Sequence, residues 1–322
     1  MKKVLFATTA LIATAGVAAA EVKFGGYGRF GIGYLEDRST DANVSDTILV
    51  SRFRLNIDGI VETDGGVRFE GRVRLQADED SDNGEANAAG LNGARFSVIF
   101  GGLRVDAGNV AGSFDNLANY YGNEPGLESF IGQYSGVDYD FLAYSSTGAG
   151  ANAVFFQYAV GDFAFGASYD QNVGNVGGDT TLSGIDRWDL SATYTFNNIT
   201  AALAYGQTDA PAGGEKSTLT VLTLGAEFGD FSGTLFVADD DVADDATNGT
   251  AYGFSLAYNV GAALTLTAAY GDGSADDDTQ QYGVGAIYDL GGGASLRGGI
   301  GNTKTGDADG QLRADFGAQF NF

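Results

Sequence analysis

Apolar and polar residues alternate along most of the chain with a period of two. In VRFEGRVRLQ (67–76), every second residue is apolar or glycine, and the residues between them are charged or carry an amide. The same alternation runs through SRFRLNID (51–58), DRWDLSATYTF (186–196) and QLRADFGAQFNF (311–322). Because the side chains of a strand point alternately to its two faces, this pattern predicts β-strands with one apolar and one polar face.

The connections between these strands come in two sizes that alternate along the chain, so short turns lie at one end and long loops at the other. Seven tight connections are predicted at 62–66, 100–102, 161–162, 196–198, 229–230, 259–262 and 291–294. Eight long polar connections are predicted at 36–46, 79–92, 111–150, 171–185, 207–217, 239–248, 272–278 and 303–309. Fifteen connections join sixteen strands of roughly ten residues, which is typical of an outer-membrane barrel. We therefore expect an all-β fold, a closed 16-stranded antiparallel transmembrane β-barrel with short periplasmic turns and long outer loops.

A soluble β-sandwich or propeller is the alternative to a membrane barrel. In such folds the apolar face is buried and the outer face carries the charge. Here aromatic residues recur near the strand ends on the apolar face, while the other face is small and polar with several arginines. An apolar outside and a polar inside favour a water-filled barrel, and sixteen strands enclose enough space for an aqueous channel.

The first twenty residues have the composition of an export signal. Lys2 and Lys3 precede an apolar stretch that ends in the alanines at 18–20. The stretch is too short to span a bilayer as a helix. We expect cleavage after residue 20, which leaves residues 21–322 as a single barrel domain and changes the net charge from −25 to −27.

The composition removes several classes of function. The chain has no Cys, which excludes a disulfide framework and a thiolate metal site. It has no His, the commonest general base, so a barrel enzyme would need unusual carboxylate chemistry and stays a remote alternative. A net charge of −25 opposes binding to a phosphate backbone, so we expect no nucleic-acid partner.

One connection is far longer than the others and is acidic. Loop 111–150 is the third long connection, and it contains neither Lys nor Arg. Loops of this length are usually functional. We expect this loop to narrow the channel, with Asp115, Glu124 and Glu128 as its constriction acids. The last two flank a Pro-Gly pair in mid-loop, where a tip crossing the channel would lie.

The arginines complement this loop. Nine of the twelve lie between residues 29 and 104. Strand parity places most of these on the lumen face, and barrel closure makes the last two strands their neighbours. The predicted basic wall consists of Arg29, Arg52, Arg54, Arg72, Arg74, Arg95, Arg297 and Arg313. An acidic loop across such a wall produces a transverse field at the narrowest point. Local pairing of the arginines to Asp58, Glu70 or Asp106 is the alternative explanation.

Several segments are similar to one known family. EVKFGGYGRFGIGYLEDR (21–38) and DTILVSRFRLNIDGIVETDGGVRFEGRVRLQ (46–76) resemble the opening of the general diffusion porins of photosynthetic α-proteobacteria, the Rhodobacter type. GNVAGSFDNLANYYGNEPGLESF (108–130) resembles that family's third loop, and the terminal Phe322 matches its usual ending. The resemblance is close over residues 21–145, and beyond residue 145 it is limited to the spacing of the alternating strands.

The resemblance implies a homotrimer of barrels in the bacterial outer membrane, in contact with lipid and lipopolysaccharide. Each barrel would hold its own pore, narrowed by the third loop folding inside, for passive diffusion of small hydrophilic solutes and ions. From the net charge we expect weak cation selectivity. A substrate-specific channel, for example for sugars, is the alternative. It calls for aromatic residues along the lumen, where parity places only Tyr27, Phe155 and Phe236.

Acidic clusters in the outer loops are weaker candidates for a cation site. They comprise Asp239, Asp240, Asp241, Asp276, Asp277 and Asp278. Carboxylates are ligands that Ca²⁺ prefers, although solvated loop charge and lipopolysaccharide bridging explain the same residues. The resemblance adds to the case for bound Ca²⁺ without fixing its ligands. A passive channel requires no cofactor.

Overall fold

The computed structural model describes most of the chain. The described residues are 20–39, 44–80, 85–171, 185–210, 214–242 and 246–322. The predicted export signal lies outside them except for Ala20, and so does nearly all of the connection predicted at 171–185. In the described residues, no helix is both long enough and apolar enough to pass through a membrane.

Sixteen long strands form the wall of one barrel. They are β1 (Glu21–Leu35), β2 (Thr47–Glu62), β3 (Arg68–Asp80), β6 (Arg95–Phe100), β7 (Leu103–Gly108), β8 (Ala153–Val160), β9 (Phe163–Gln171), β10 (Asp186–Phe196), β11 (Ile199–Thr208), β12 (Ser217–Phe228), β13 (Phe231–Asp241), β14 (Gly249–Val260), β15 (Leu264–Gly273), β16 (Thr279–Gly291), β17 (Ala294–Thr305) and β18 (Gln311–Asn321). Two further strands of two residues each, β4 (Glu85–Ala86) and β5 (Gly90–Leu91), pair with β3. They lie inside the connection predicted at 79–92, which was expected to be loop throughout.

The barrel is closed by the two ends of the chain. Each wall strand pairs antiparallel with the next, and β18 pairs with β1 from Asn321 opposite Tyr27 to Arg313 opposite Leu35. Every wall strand therefore has two neighbours and the wall has no edge strand, as lipid requires. The prediction of a 16-stranded antiparallel barrel is confirmed.

The two faces of the wall differ as the alternation predicts. Large apolar side chains are exposed on the outside around the whole circumference, among them Leu49, whose side chain is 78% exposed, and Phe228. Many inward positions carry small or polar side chains, such as Thr223 and Ser255, which are fully buried, while larger apolar inward residues such as Phe236 are also buried. The outside is thus suited to lipid and the inside to water or to packing against an enclosed segment.

Seven short turns connect strands at one end of the barrel, at the predicted places. Each turn contains a residue with positive φ, which glycine and asparagine adopt at low cost. These residues are Gly66, Gly101, Gly161, Asn197, Gly229, Gly261 and Gly291. The longer connections gather at the opposite end.

Candidate functional site

The connection between β7 and β8, residues 109–152, folds into the barrel, and we call it the inner loop. Its side chains pack against inward-facing residues of strands distant in sequence. The ring of Tyr120 is 1% exposed and meets Phe236 of β13 edge to face, with 5.2 Å between ring centroids. Leu142, in the apolar stretch FLAY (141–144), is also 1% exposed, so this residue packs against the rest of the barrel.

A single apolar cluster fixes one side of the inner loop to the wall. Its buried members are Phe114, Leu117, Tyr120, Tyr139, Ala202, Ala204, Leu219, Val221, Phe236, Ala238 and Ala251. The first four belong to the inner loop and the others to β11–β14. Burial of this apolar surface stabilises the docked loop, and it fills this side of the lumen.

Glycines on β14 and β15 let the loop backbone lie directly on the wall. A Cβ atom at Gly253 would lie 2.1 Å from the carbonyl oxygen of Gln133, and one at Gly271 would lie 2.6 Å from that of Gly132. Any larger residue at these two positions would therefore displace the loop.

Carboxylates of the wall anchor the loop backbone. Asp315 of β18 accepts hydrogen bonds from three successive N–H groups, those of Leu127 (2.9 Å), Glu128 (2.8 Å) and Ser129 (2.8 Å). Asp240 of β13 accepts two more, from Asp138 and Tyr139. Bonds from N–H groups to a carboxylate are among the stronger hydrogen bonds. Asp315 was not among the predicted site residues, and Asp240 was predicted only as a candidate calcium ligand, because the sequence does not show which wall residues meet the loop backbone.

Two of the three predicted loop acids face the basic wall. Glu128 forms an ion pair with Arg29, with 2.5 Å between Oε2 and Nη2. Glu124 accepts a hydrogen bond from the hydroxyl of Tyr134 at 2.9 Å. Burial raises the pKa of both carboxyls, and the charge of Arg29 opposes that rise in each case.

Asp115 is placed differently. Its carboxylate accepts hydrogen bonds from the hydroxyl of Tyr121 and from the N–H of Tyr144 at 3.0 Å, both within the inner loop. The Asp115 carboxylate therefore links two parts of the inner loop, those that contain Tyr121 and Tyr144.

An opening of about 580 Å³ lies between the loop tip and the basic wall. Its charged lining residues are Arg29, Arg52, Arg297, Glu124 and Glu128. The structure thus brings three of the eight predicted arginines and two of the three predicted acids to one place, with opposite charges on its two sides.

The other predicted arginines lie on the same continuous stretch of wall. Arg72 is bonded to Asp58, at 2.5 Å from Nε and 2.9 Å from Nη2, so local pairing explains its position in part. Arg313 donates to the carbonyl oxygen of Ser129 and so supports the loop tip. The side chains of Arg54, Arg74 and Arg95 lie on β2, β3 and β6, respectively, next to the final part of the inner loop.

One inward arginine lies on the opposite wall, outside the predicted set. Arg187 of β10 is buried beneath the inner loop, where it donates to Asp170 at 3.1 Å and to the carbonyl oxygen of Asp140 at 2.7 Å. The alternation gave its inward direction, but no feature of the sequence indicates that the loop covers it.

The structure separates the six candidate calcium ligands. Asp239, Asp241, Asp276 and Asp277 are exposed, whereas Asp240 points inward and anchors the inner loop. Asp278 is buried and accepts a hydrogen bond from the N–H of Ala275 at 2.8 Å. Within the described ranges, no three acidic side chains are grouped so that they could hold a metal ion. Bound Ca²⁺ therefore stays a prediction.

A closed barrel with an apolar outer surface, a polar interior and an inserted loop that leaves a charged opening defines a channel protein of the outer membrane. The chain belongs to the Gram-negative porin family, whose model matches residues 7–308. The resemblance to Rhodobacter-type porins is thereby confirmed.

Two relatives and one solved structure cover the whole barrel. A porin of Fuscovulum blasticum is 32% identical over 313 residues, which cover 94% of this chain and 100% of the relative. A porin of Rhodobacter capsulatus is 29% identical over 326 residues, with the same shares covered. A solved mutant of Rh. blastica porin is 29% identical and superposes with a TM-score of 0.77, again over 94% of this chain and 100% of the other.

Proposed function

We propose that this porin is a passive diffusion channel for small hydrophilic solutes and ions, with weak selectivity for cations. The observation that carries the proposal is the opening beside the loop tip, which acids border on one side and arginines on the other. A transverse field at such a place orders water, so it favours small polar solutes and hinders apolar ones.

Cation preference follows from the whole protein's charge. Removal of the predicted export signal would leave a net charge of −27, which concentrates cations at the channel mouths. The arginines oppose this locally, so the preference is modest. Because the screening length falls from about 10 Å at 0.1 M salt to about 3 Å at 1 M, the preference should fade at high salt.

The inward aromatic residues give little support to a sugar-specific channel. Phe155 and Phe236 are each buried beneath the inner loop, and the guanidinium of Arg54 lies over the ring of Tyr27 at 5.1 Å. These three rings therefore form no continuous file along the pore for a sugar to slide on. We also infer a channel rather than a barrel enzyme, because the relatives are porins.

The proposal includes a homotrimer of mature chains that begin at Glu21, the first residue of β1. Small outward-facing residues on the two closing strands, Gly26 on β1 with Ala314 and Ala318 on β18, would permit close approach of subunits, whereas Gly28 is covered by the ring of Phe320. A mass three times that of one chain in mild detergent is the expected result, and a uniform population of monomers would contradict it.

The channel proposal is tested in planar bilayers. The reversal potential across a KCl gradient should indicate cation preference at low salt and almost none at high salt. Single-channel conductance should not change when candidate sugars are added. A clear anion preference at low salt would contradict the selectivity, and saturable block by one sugar would favour the substrate-specific alternative.

A further inference from the structure

Arginines of the basic wall differ in how their charge is balanced. Three of them pair with carboxylates: Arg29 with Glu128, Arg52 with Asp78 and Arg72 with Asp58. Among the described residues, Arg54, Arg74 and Arg95 have no carboxylate oxygen within 4.0 Å. Within that part of the chain, three neighbouring cations of the wall thus lack a directly paired carboxylate.

These three side chains meet at two tyrosine rings. The guanidinium of Arg74 lies 4.6 Å from the ring centre of Tyr144, and that of Arg95 lies 5.7 Å from the same ring. The guanidinium of Arg54 lies 5.1 Å from the ring centre of Tyr27. We call these five residues the arginine–tyrosine cluster. An aromatic face stabilises a cation through the ring quadrupole, but it carries no net charge that would cancel the repulsion between neighbouring guanidiniums.

In the described part of the chain, the arginine side chains of the cluster donate only to neutral acceptors. Arg54 Nε donates to Gln76 Oε1 at 2.5 Å, and Arg74 Nε donates to Asn56 Oδ1 at 2.8 Å. Arg54 Nη2 and Arg74 Nη1 both donate to one hydroxyl oxygen, Ser146 Oγ, at 3.3 and 2.7 Å. Two cationic groups therefore converge on one uncharged oxygen.

Further donors in the cluster have no acceptor. Arg95 Nε and the hydroxyl of Tyr144 are both shielded from water, and neither has a hydrogen-bond partner among the described residues. Arg95 also lies directly opposite Arg72 in the register of β3 and β6, where like charges destabilise a pair of strands. The side chains of the cluster thus carry several donors and three positive charges, and among the described residues none of these side chains donates to a carboxylate.

We propose that the arginine–tyrosine cluster binds small oxyanions of the phosphate and sulfate class during their passage through the pore. The inference rests on the proposed diffusion channel and adds a preferred class of solute to it. Guanidinium groups present paired donors that match the oxygens of such anions. An oxyanion oxygen would replace Ser146 Oγ as the acceptor shared by Arg54 and Arg74. A pore with modest cation preference would then still carry phosphate-bearing solutes efficiently.

The test measures binding and conduction separately, with inorganic phosphate as the probe. Full-length protein in detergent is titrated with phosphate at constant ionic strength, and the phosphorus NMR line width reports binding without requiring an open channel. We expect saturable broadening in the unchanged protein. Arg74→Gln should weaken binding about tenfold, because it removes the guanidinium that contacts both Ser146 and Tyr144.

Arg68→Gln is the matched control, since it makes the same change in net charge beside a short turn, where Arg68 pairs with Glu70. It should leave phosphate binding unchanged. Arg95→Gln provides a second test should Arg74→Gln fail to fold as a barrel by circular dichroism. Absence of saturable broadening in the unchanged protein, or equal weakening by Arg68→Gln and Arg74→Gln, would overturn the proposal.

Conductance in KCl distinguishes failure of this inference from failure of the proposed channel. A protein that conducts KCl but does not bind phosphate retains the channel function and loses the oxyanion site. A protein that binds phosphate but does not conduct retains the site and loses the diffusion channel. In the conducting protein, added phosphate should lower the KCl current saturably, and Arg74→Gln should abolish that effect.

Discussion

The two sides of the lumen differ in what they offer the inner loop. On β11–β15 the inward positions are small or apolar, and the loop backbone comes within van der Waals contact of Gly253 and Gly271. On β1–β7 the inward positions carry arginines, and an opening remains between them and the loop tip. Glycine admits a neighbouring backbone, whereas a long charged side chain occupies space and retains water. The distribution of side-chain size around the wall therefore decides where the pore lies.

The two sides also differ in the interactions that hold the inner loop. The side formed by β11–β15, which we call the filled side, holds the inner loop mainly by burial of aromatic and aliphatic side chains, with two hydrogen bonds to Asp240. The side that borders the opening, formed by the closing strand β18 and by β1–β7, is called the open side. There the loop tip is held by hydrogen bonds to Asp315 and by the ion pair between Arg29 and Glu128. The first region determines how much of the lumen is blocked, and the second determines which solutes pass through the remainder. Changes on the two sides should accordingly have separable effects.

Deleting most of the inner loop, which packs on the filled side, should have the largest effect on conductance and on the solute size limit. Replacing residues 113–136 by a short Gly-Ser linker removes the segment that packs on Phe236 and Gly253. Because sixteen strands enclose a wide channel, we expect a severalfold rise in single-channel conductance and entry of larger solutes in liposome-swelling assays. The same linker in place of 306–310, an outer connection, is the control. Unchanged conductance and size limit in a folded loop variant would mean that the constriction lies elsewhere.

Truncating one ring of the apolar cluster should destabilise the filled side and spare the charges of the open side. Phe236→Ala leaves a cavity next to Tyr120, and such changes usually cost about 3–5 kcal/mol. We expect urea unfolding in lipid vesicles at lower concentration and larger current noise from a loosened loop, with little change in reversal potential. Leu235→Ala, at an outward position on the same strand, is the control. A large change in selectivity would show that the two sides are coupled.

The sequence predicts the strands and the direction of their side chains better than it predicts the contacts between the inner loop and the wall. Alternation with a period of two is a local property, so it predicted the strands and the inward direction of the arginines. The anchors depend on contacts between distant residues: Leu127 and Asp315 are 188 positions apart. Nor does the sequence distinguish Asp115 from Glu128, because only the folded loop shows that tyrosines of the loop bind the first and Arg29 binds the second.

Neutralising the open side should change selectivity more than size limit. In the quadruple variant Arg52→Gln, Arg54→Gln, Arg72→Gln and Arg74→Gln, four positive charges are removed from the wall while the apolar cluster is untouched. We expect the reversal potential in low salt to shift further toward cations, with less change in the solute cutoff. The control for loss of lumen charges is the double variant Arg187→Gln/Asp170→Asn, which removes an ion pair buried beneath the inner loop. An unaltered reversal potential would show that the wall does not control ion passage.

Lowering the pH should reduce the channel's preference for cations. This change should begin at a higher pH than the one at which an ordinary glutamate becomes protonated. Burial raises the pKa of Glu124 and Glu128, Arg29 opposes the rise, and Glu79 adds to it for Glu128. As the pH falls through these raised values the carboxyls become neutral, while the arginines keep their charge. The reversal potential should therefore move toward anions on acidification, and Glu124→Gln/Glu128→Gln should weaken that dependence. An identical pH profile in the double variant would assign the titration to other acids.

The smallest effect is expected from the loop acid that does not border the opening. Asp115→Asn removes a charge of the same sign as Glu128→Gln, from the same inner loop. However, the Asp115 carboxylate already accepts hydrogen bonds from Tyr121 and Tyr144, so it acts within the loop and contributes little to the field across the opening. We expect the reversal potential of Asp115→Asn to stay close to that of the unchanged protein, whereas Glu128→Gln shifts it toward anions because it leaves Arg29 without its partner. Equal shifts in the two variants would mean that the loop acts through its total charge, and that the position of each acid relative to the wall is unimportant.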